Sequence, residues 1–364
     1  MTAPARDRVT VRCDGAALSF DPAVGNLRRL DLRDGDRILS PLHTAPWVDR
    51  DDADLPDDLA PVERQLSGDF LCAPFAQSDV EPAPPHGWSA NSHWTVTDQG
   101  ARHILARLDR PVMGARIDKR LTLSAQAPIL IQEHRVDGGH GGLPLAHHPM
   151  VRLGGPARFC CSPKRIALGP DAPLDPGRNR LATGARTRDL TRFPGAEGGS
   201  VDLTRLPIAE AHEDFVTLVE AQGNPLGWTA LLREDADDIV FFVKDPKVLP
   251  VTMLWHSNGG RDHAPWNGQH RGVIGIEDGC AAGAAGHRAA LGPNPVAATG
   301  VPTCLPLGPG TTHRIVHLTG AIARPAGWSA VTDIRLSGTR LTLIGDSGGT
   351  RSLDVPEGLF DTTG

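Results

Sequence analysis

Four short stretches gather the side chains of this chain that could do chemistry: "GDFLCAPFAQSD" (68–79), "PPHGWSANSHW" (84–94), "LPLAHHPMVRL" (143–153) and "LWHSNGGRDHAPWNGQHRGVIGIEDGCA" (254–281). The third sets two imidazoles side by side in an apolar, strand-like run. Successive side chains of an extended chain point to opposite faces, so His147 and His148 cannot both line one pocket. One of them faces a site, and the other faces solvent or the packing between sheets. In "VIGIEDG" (273–279) a carboxylate interrupts an apolar strand. Glu277 is costly there unless it is paired or opens into a cleft, which marks it as a site residue. Asp278 then faces the other way and is expected to cap the following turn.

The same stretches hold Trp88, Trp94, Trp255 and Trp266, four of the seven tryptophans. An indole face beside hydrogen-bonding side chains suits a pyranose, whose C–H face is apolar and whose rim is polar. At least two of these indoles are expected to plug the core instead. His86 lies in a Pro-Pro-His-Gly turn, where ligand-binding residues are common. His256, His263 and His270 recur every seven residues in a Gly- and Asn-rich loop, a spacing that fits no helix or strand metal geometry.

These residues must be positioned by strands. Gly and Pro, 41 and 32 of 364 residues, are spread along the chain, which suits many short strands and breaks long helices. Asp14-Gly15 and Asp34-Gly35 punctuate an opening meander over residues 9–42. Alternating runs such as "ARIDKRLTLS" (115–124) and "ILIQEHRV" (129–136) read as half-buried antiparallel strands. The acidic segment 49–62 reads as a solvated surface loop, and 169–205, rich in Pro, Gly, Arg and Asp, as an irregular excursion on the rim of a site. The Ala-rich stretch 280–291 is interrupted by glycines and supports at most a short turn of helix. An all-β fold follows, a large antiparallel β-sandwich forming a single domain over residues 1–364.

The formal net charge of −6 gives no basic field to draw nucleic acid or anionic lipid. No apolar run reaches 18 residues and the N-terminus carries no signal-like core, so no membrane association and a cytoplasmic location are expected. The cysteines, at 13, 72, 160, 161, 280 and 304, form no CxxC pair; they read as reduced thiols, and no structural zinc site is expected from them.

The order of four motifs resembles the aldose 1-epimerase (galactose mutarotase-like) family: "PFAQS" at 74–78, "HGWSANSHW" at 86–94, "HHPMV" at 147–151 and "GIEDG" at 275–279, after "GNLRRLDLRDGDRILSPL" near the N-terminus. The resemblance covers nearly the whole chain. It implies a galactose mutarotase-like supersandwich and a monomeric or homodimeric enzyme that interconverts sugar anomers without a cofactor. It implies further that His148 is the general acid, Glu277 the general base, and His86 a sugar-binding residue near the reacting centre. Gln77, Asn91, Trp88, Trp255 and Trp266 complete the expected sugar-binding set. The family's arginine in the first motif falls on Ser78, and a second arginine position falls on Ala90. Asp262 is an unanchored candidate for a substrate-binding aspartate. A non-catalytic carbohydrate-binding protein and a metal-dependent sugar isomerase or lyase are the alternatives.

Overall fold

The computed structural model describes residues 8–50 and 55–361. Two large antiparallel sheets stack face to face, as the all-β reading of the sequence expects. The first has eight strands. Its central run is Lys164–Leu168, His212–Glu220, Val251–Asn258, Val273–Cys280, Leu145–His147 and Leu71–Cys72, and Met150–Arg152 pairs further along Val273–Cys280. The second has nine strands, and its middle is formed by Gly227–Arg233, Asp238–Lys244, Thr312–Ala323, Ile129–Gly138 and Ala115–Leu123. A four-stranded N-terminal meander and a three-stranded C-terminal sheet flank this pair. Helix is confined, among the described residues, to the four-residue turns Pro61–Arg64 and His287–Ala290 and a few 3₁₀ turns.

Strand alternation accounts for the layering. In Ala115–Leu123 every second residue is buried, while Arg116 and Asp118 face outward. Asp118 pairs across the sheet with Arg107 at 2.6 Å. By contrast His212–Glu220, Val251–Asn258 and Val273–Cys280 are buried at every position, because both faces of their sheet are covered. One face, with Val216, Leu218, Leu254, Ile274 and Ile276, packs on Leu231, Val240 and Phe242 of the nine-stranded sheet. The opposite face, with Phe215, Met253 and Trp255, packs against Trp47, Val62, Leu66, Phe70, Phe75 and Trp266. The site lies on this second face.

Phe242 is fully buried between the sheets, with its ring stacked 5.7 Å from that of His317. Phe242→Ala is expected to lower unfolding free energy by about 3–5 kcal/mol, read from a denaturant titration. A cost below about 1 kcal/mol would mean that Phe242 is not packed between the sheets.

Candidate active site

The pairing register brings the third and fourth motifs together. Ala146 lies opposite Gly279 and Met150 opposite Gly275. With three residues between these pairs on each strand, His148 falls opposite Glu277 on one face, where cross-strand side chains meet. His148 Nε2 and Glu277 Oε1 are 3.1 Å apart. The neighbouring strands extend this row: Leu71 pairs with His147, which brings Phe70 beside His148, and Met253 pairs with Glu277. The Phe70 ring stacks on His148 at 4.5 Å, and the His148 backbone N–H donates to Phe70 O and to Asp69 Oδ1. Pro149 ends the run of His147, and its carbonyl still accepts from Ile276 N at 3.0 Å, so the strand keeps its register through the site.

His86 reaches the same point from a turn. Both His86 (φ 67°) and Gly87 (φ 73°) are left-handed, and a Cβ on Gly87 would lie 1.9 Å from the Ala73 carbonyl oxygen. Only glycine lets the Pro-Pro-His-Gly turn press this closely onto the first motif. The His86 ring then stands edge-on to His148 at 5.2 Å.

These groups line a cavity of about 280 Å³ together with Gln77, Trp255, Trp266 and Arg261. Burial pushes the Glu277 carboxyl well above the usual carboxylate range. Burial also pulls His148 down to about 4, and burial with His148 and Arg261 nearby pulls His86 down to about 3. Burial therefore favours the neutral form of both partners of this contact. The described residues that line this cavity include no cluster of His, Cys and carboxylate ligands able to hold a metal ion.

No protein-family model matches the chain, and no curated protein does. Solved structures do. The Slr1438 protein from Synechocystis sp. PCC 6803 superposes with a TM-score of 0.57 at 13% identity, covering 89% of this chain and 98% of that one. A galactose mutarotase related enzyme from Lactobacillus acidophilus gives 0.54 at 13% identity, covering 86% and 97%. A galactose mutarotase-like protein from Lactobacillus casei gives 0.52 at 13%, covering 86% and 99%. The fold is galactose mutarotase-like.

Within that galactose mutarotase-like sheet the sequence-derived candidates separate. His148, Glu277, His86, Gln77, Trp255 and Trp266 share the cavity wall; Trp88 and Asn91 do not. The half-buried Trp88 ring lies under the Arg110 guanidinium at 4.2 Å. The Asn91 amide is committed to backbone: it donates to Pro85 O and Gly87 O and accepts from Val62 N. Asn91 thus ties the His86 turn to the helix Pro61–Arg64 rather than facing the cavity. His147 points to the opposite face, into the core, as strand alternation demands. Asp278 also points there, but it caps no turn; it accepts from Thr252 Oγ1 and pairs with Lys244 and His317. Asp262 pairs with Arg178 outside the cavity, and Ser78 donates to Pro84 O. His270 stacks on Trp255 at 5.3 Å and bonds Ser257. The acidic segment is not wholly a surface loop, because Val62 at its end lines the cavity beside Glu63. From the 169–205 excursion, Leu174 reaches the cavity wall.

Two participants escaped the sequence reading. Arg261, one residue before Asp262, lines the cavity with its guanidinium 4.3 Å from the Trp266 ring and 5.6 Å from Trp255. Glu213, fully buried, holds it: Arg261 Nε lies 3.2 Å from Glu213 Oε1, which also accepts from Trp255 Nε1 at 3.1 Å. Burial raises the Glu213 carboxyl to about 7, with Arg261 and Trp255 working against that rise. A carboxyl raised in the folded state binds a proton that the unfolded chain has released, so this group loses stability as pH climbs from about 4.5 to about 7. Relative to Glu213→Gln, the wild type is expected to lose on the order of 2 kcal/mol across that window, read as the pH dependence of Tm. Parallel profiles would show that Glu213 titrates normally.

Proposed function

We propose that this chain is an aldose 1-epimerase-like isomerase that interconverts sugar anomers by acid–base ring opening. The observation that carries the reading is the single contact between His148 Nε2 and Glu277 Oε1, 3.1 Å long and inside a cavity walled by two indoles. O1 and O5 of a pyranose are both borne by C1, so one compact acid–base pair can address both. The pair holds one exchangeable proton. In its ionised form, Glu277 carboxylate and His148 imidazolium, it has the same proton count as the resting neutral form and differs only in where the proton sits.

In the forward direction Glu277 takes the proton from O1–H. The C1–O5 bond breaks with its electron pair going to O5, which takes the proton from His148 Nε2, and C1=O1 becomes an aldehyde. The pair returns to its neutral form. Rotation about C1–C2 presents the other carbonyl face, and closure runs the same transfers backwards with O5 as nucleophile. Each positioned acid or base is worth roughly two to four orders of magnitude in rate. Trp255 and Trp266 offer apolar faces to the C–H side of the ring. Arg261, from the loop between Val251–Asn258 and Val273–Cys280, supplies the hydroxyl-binding donor that Ser78 cannot.

The expected result is enzyme-accelerated decay of optical rotation after dissolving a pure anomer, across a panel of neutral aldoses and uronates. A carbohydrate-binding protein without turnover would instead bind a member of the panel and leave its rotation decay at the solvent rate.

A further inference from the structure

Directly behind the catalytic row lies a layer of polar side chains that the proposed reaction does not use. On the core face of the eight-stranded sheet His147 is the cross-strand neighbour of Asp278, and Thr252 pairs with Asp278. The nine-stranded sheet answers with Gln132, His317 and Lys244, which are consecutive partners across three strands. Most of these groups satisfy one another: Lys244 lies 2.7 Å from Asp278 Oδ1, and His317 Nε2 lies 3.0 Å from Asp278 Oδ2. The imidazoles are the exception. Both nitrogens of His147, both of His134 and Nδ1 of His317 are fully buried and have no hydrogen-bond partner. Orphaned buried polar atoms are destabilising unless an ion or water meets them.

We propose that Asp69, His147 and His317 bind a divalent transition-metal ion, zinc, in this layer. One atom from each residue lies within 4.8 Å of the others, and all three residues are buried. His147 Nδ1 and Asp69 Oδ2 are 3.7 Å apart, too far for a hydrogen bond and close to the roughly 3.4 Å edge of a tetrahedron with bonds of about 2.1 Å. Two neutral imidazoles and a carboxylate are a common zinc donor set. The outer contacts that orient metal ligands are also present. With Nε2–H of His317 donating to Asp278 Oδ2, the unpartnered Nδ1 is left to present its lone pair. Asp69 is held by Gln132 and by the backbone N–H of His148. The His147 and His317 rings overlap at 4.3 Å, so ligation turns one of them about its Cβ–Cγ bond out of the stack. The ion would fix the strand that carries His148 from behind, with no contact to the cavity.

Because the layer is closed, loading accompanies folding. The test uses the tag-free full chain, unfolded with chelator and refolded with zinc chloride or cobalt chloride. The wild type is expected to keep about one metal per chain through gel filtration, and its cobalt form to show the visible bands of a four-coordinate, nitrogen-ligated ion. His317→Phe, which preserves the ring packed on Phe242, is expected to retain metal at least about tenfold less well. Metal below about a tenth of an equivalent in the wild type would overturn the site and assign the layer to buried water. Equal retention by His317→Phe would overturn it as well. If that variant does not fold, Asp69→Asn is judged by the same criterion, and if neither folds, the wild-type cobalt spectrum decides.

Discussion

Glu277→Gln is expected to lower the rate of anomer exchange by about two to four orders of magnitude and to leave the fold in place. The amide has the volume of the carboxyl and can donate to His148 Nε2, so the 3.1 Å contact survives. Basicity does not survive: an amide cannot take the O1 proton, and the one-proton pair loses its ionised form. Burial favours the neutral carboxyl, so replacing it with a neutral amide is expected to change unfolding free energy by less than about 1 kcal/mol. Polarimetric rates beside a denaturant titration separate the two effects. Undiminished exchange in the variant would remove Glu277 from the reaction.

Gly275→Ala is expected to reduce exchange by about a hundredfold through geometry alone. Gly275 sits between Met150 and Trp255 in the register, one pleat from Glu277. A Cβ there would lie 2.8 Å from Glu277 Oε1 and 3.1 Å from Trp255 Cβ. The Trp255 Cβ is fixed to its strand, so the carboxyl must move, and with it the alignment to His148. Stability is expected to fall by about 1–3 kcal/mol from overpacking. Gly292, which has open space where its Cβ would stand, provides the control: Gly292→Ala is expected to change neither rate nor stability. Wild-type rates in Gly275→Ala would mean that the carboxyl does not act from its present position.

Much of this was legible from residue order. Alternation in "LPLAHHPMVRL" separates His147 from His148 without coordinates, and an isolated carboxylate in "VIGIEDG" marks Glu277. That the two strands are adjacent, with 148 opposite 277, is a matter of pairing register, which local sequence does not encode across more than a hundred residues. The same limit hid Glu213. It precedes the apolar run 215–221 among polar residues, and only tertiary packing places it against Trp255 and Arg261. Sequence does not choose between Arg261 and its neighbour Asp262, because a loop has no alternation to say which side chain turns inward. Trp88 and Asn91 lie off the cavity wall, because tryptophan and asparagine serve a sugar or serve packing and backbone equally well, and here the turn around Gly87 engages Asn91 and Arg110 covers Trp88.

The central claim, that His148 and Glu277 open and close a sugar ring, is tested most directly by saturation transfer in a one-dimensional proton NMR spectrum of the wild type with an equilibrated aldose. Saturating the α-H1 resonance is predicted to attenuate β-H1 in proportion to enzyme concentration for at least one sugar of the panel. A sugar that binds in the cavity, seen by quenching of Trp255 and Trp266 fluorescence, while its β-H1 intensity stays at the enzyme-free value would contradict it.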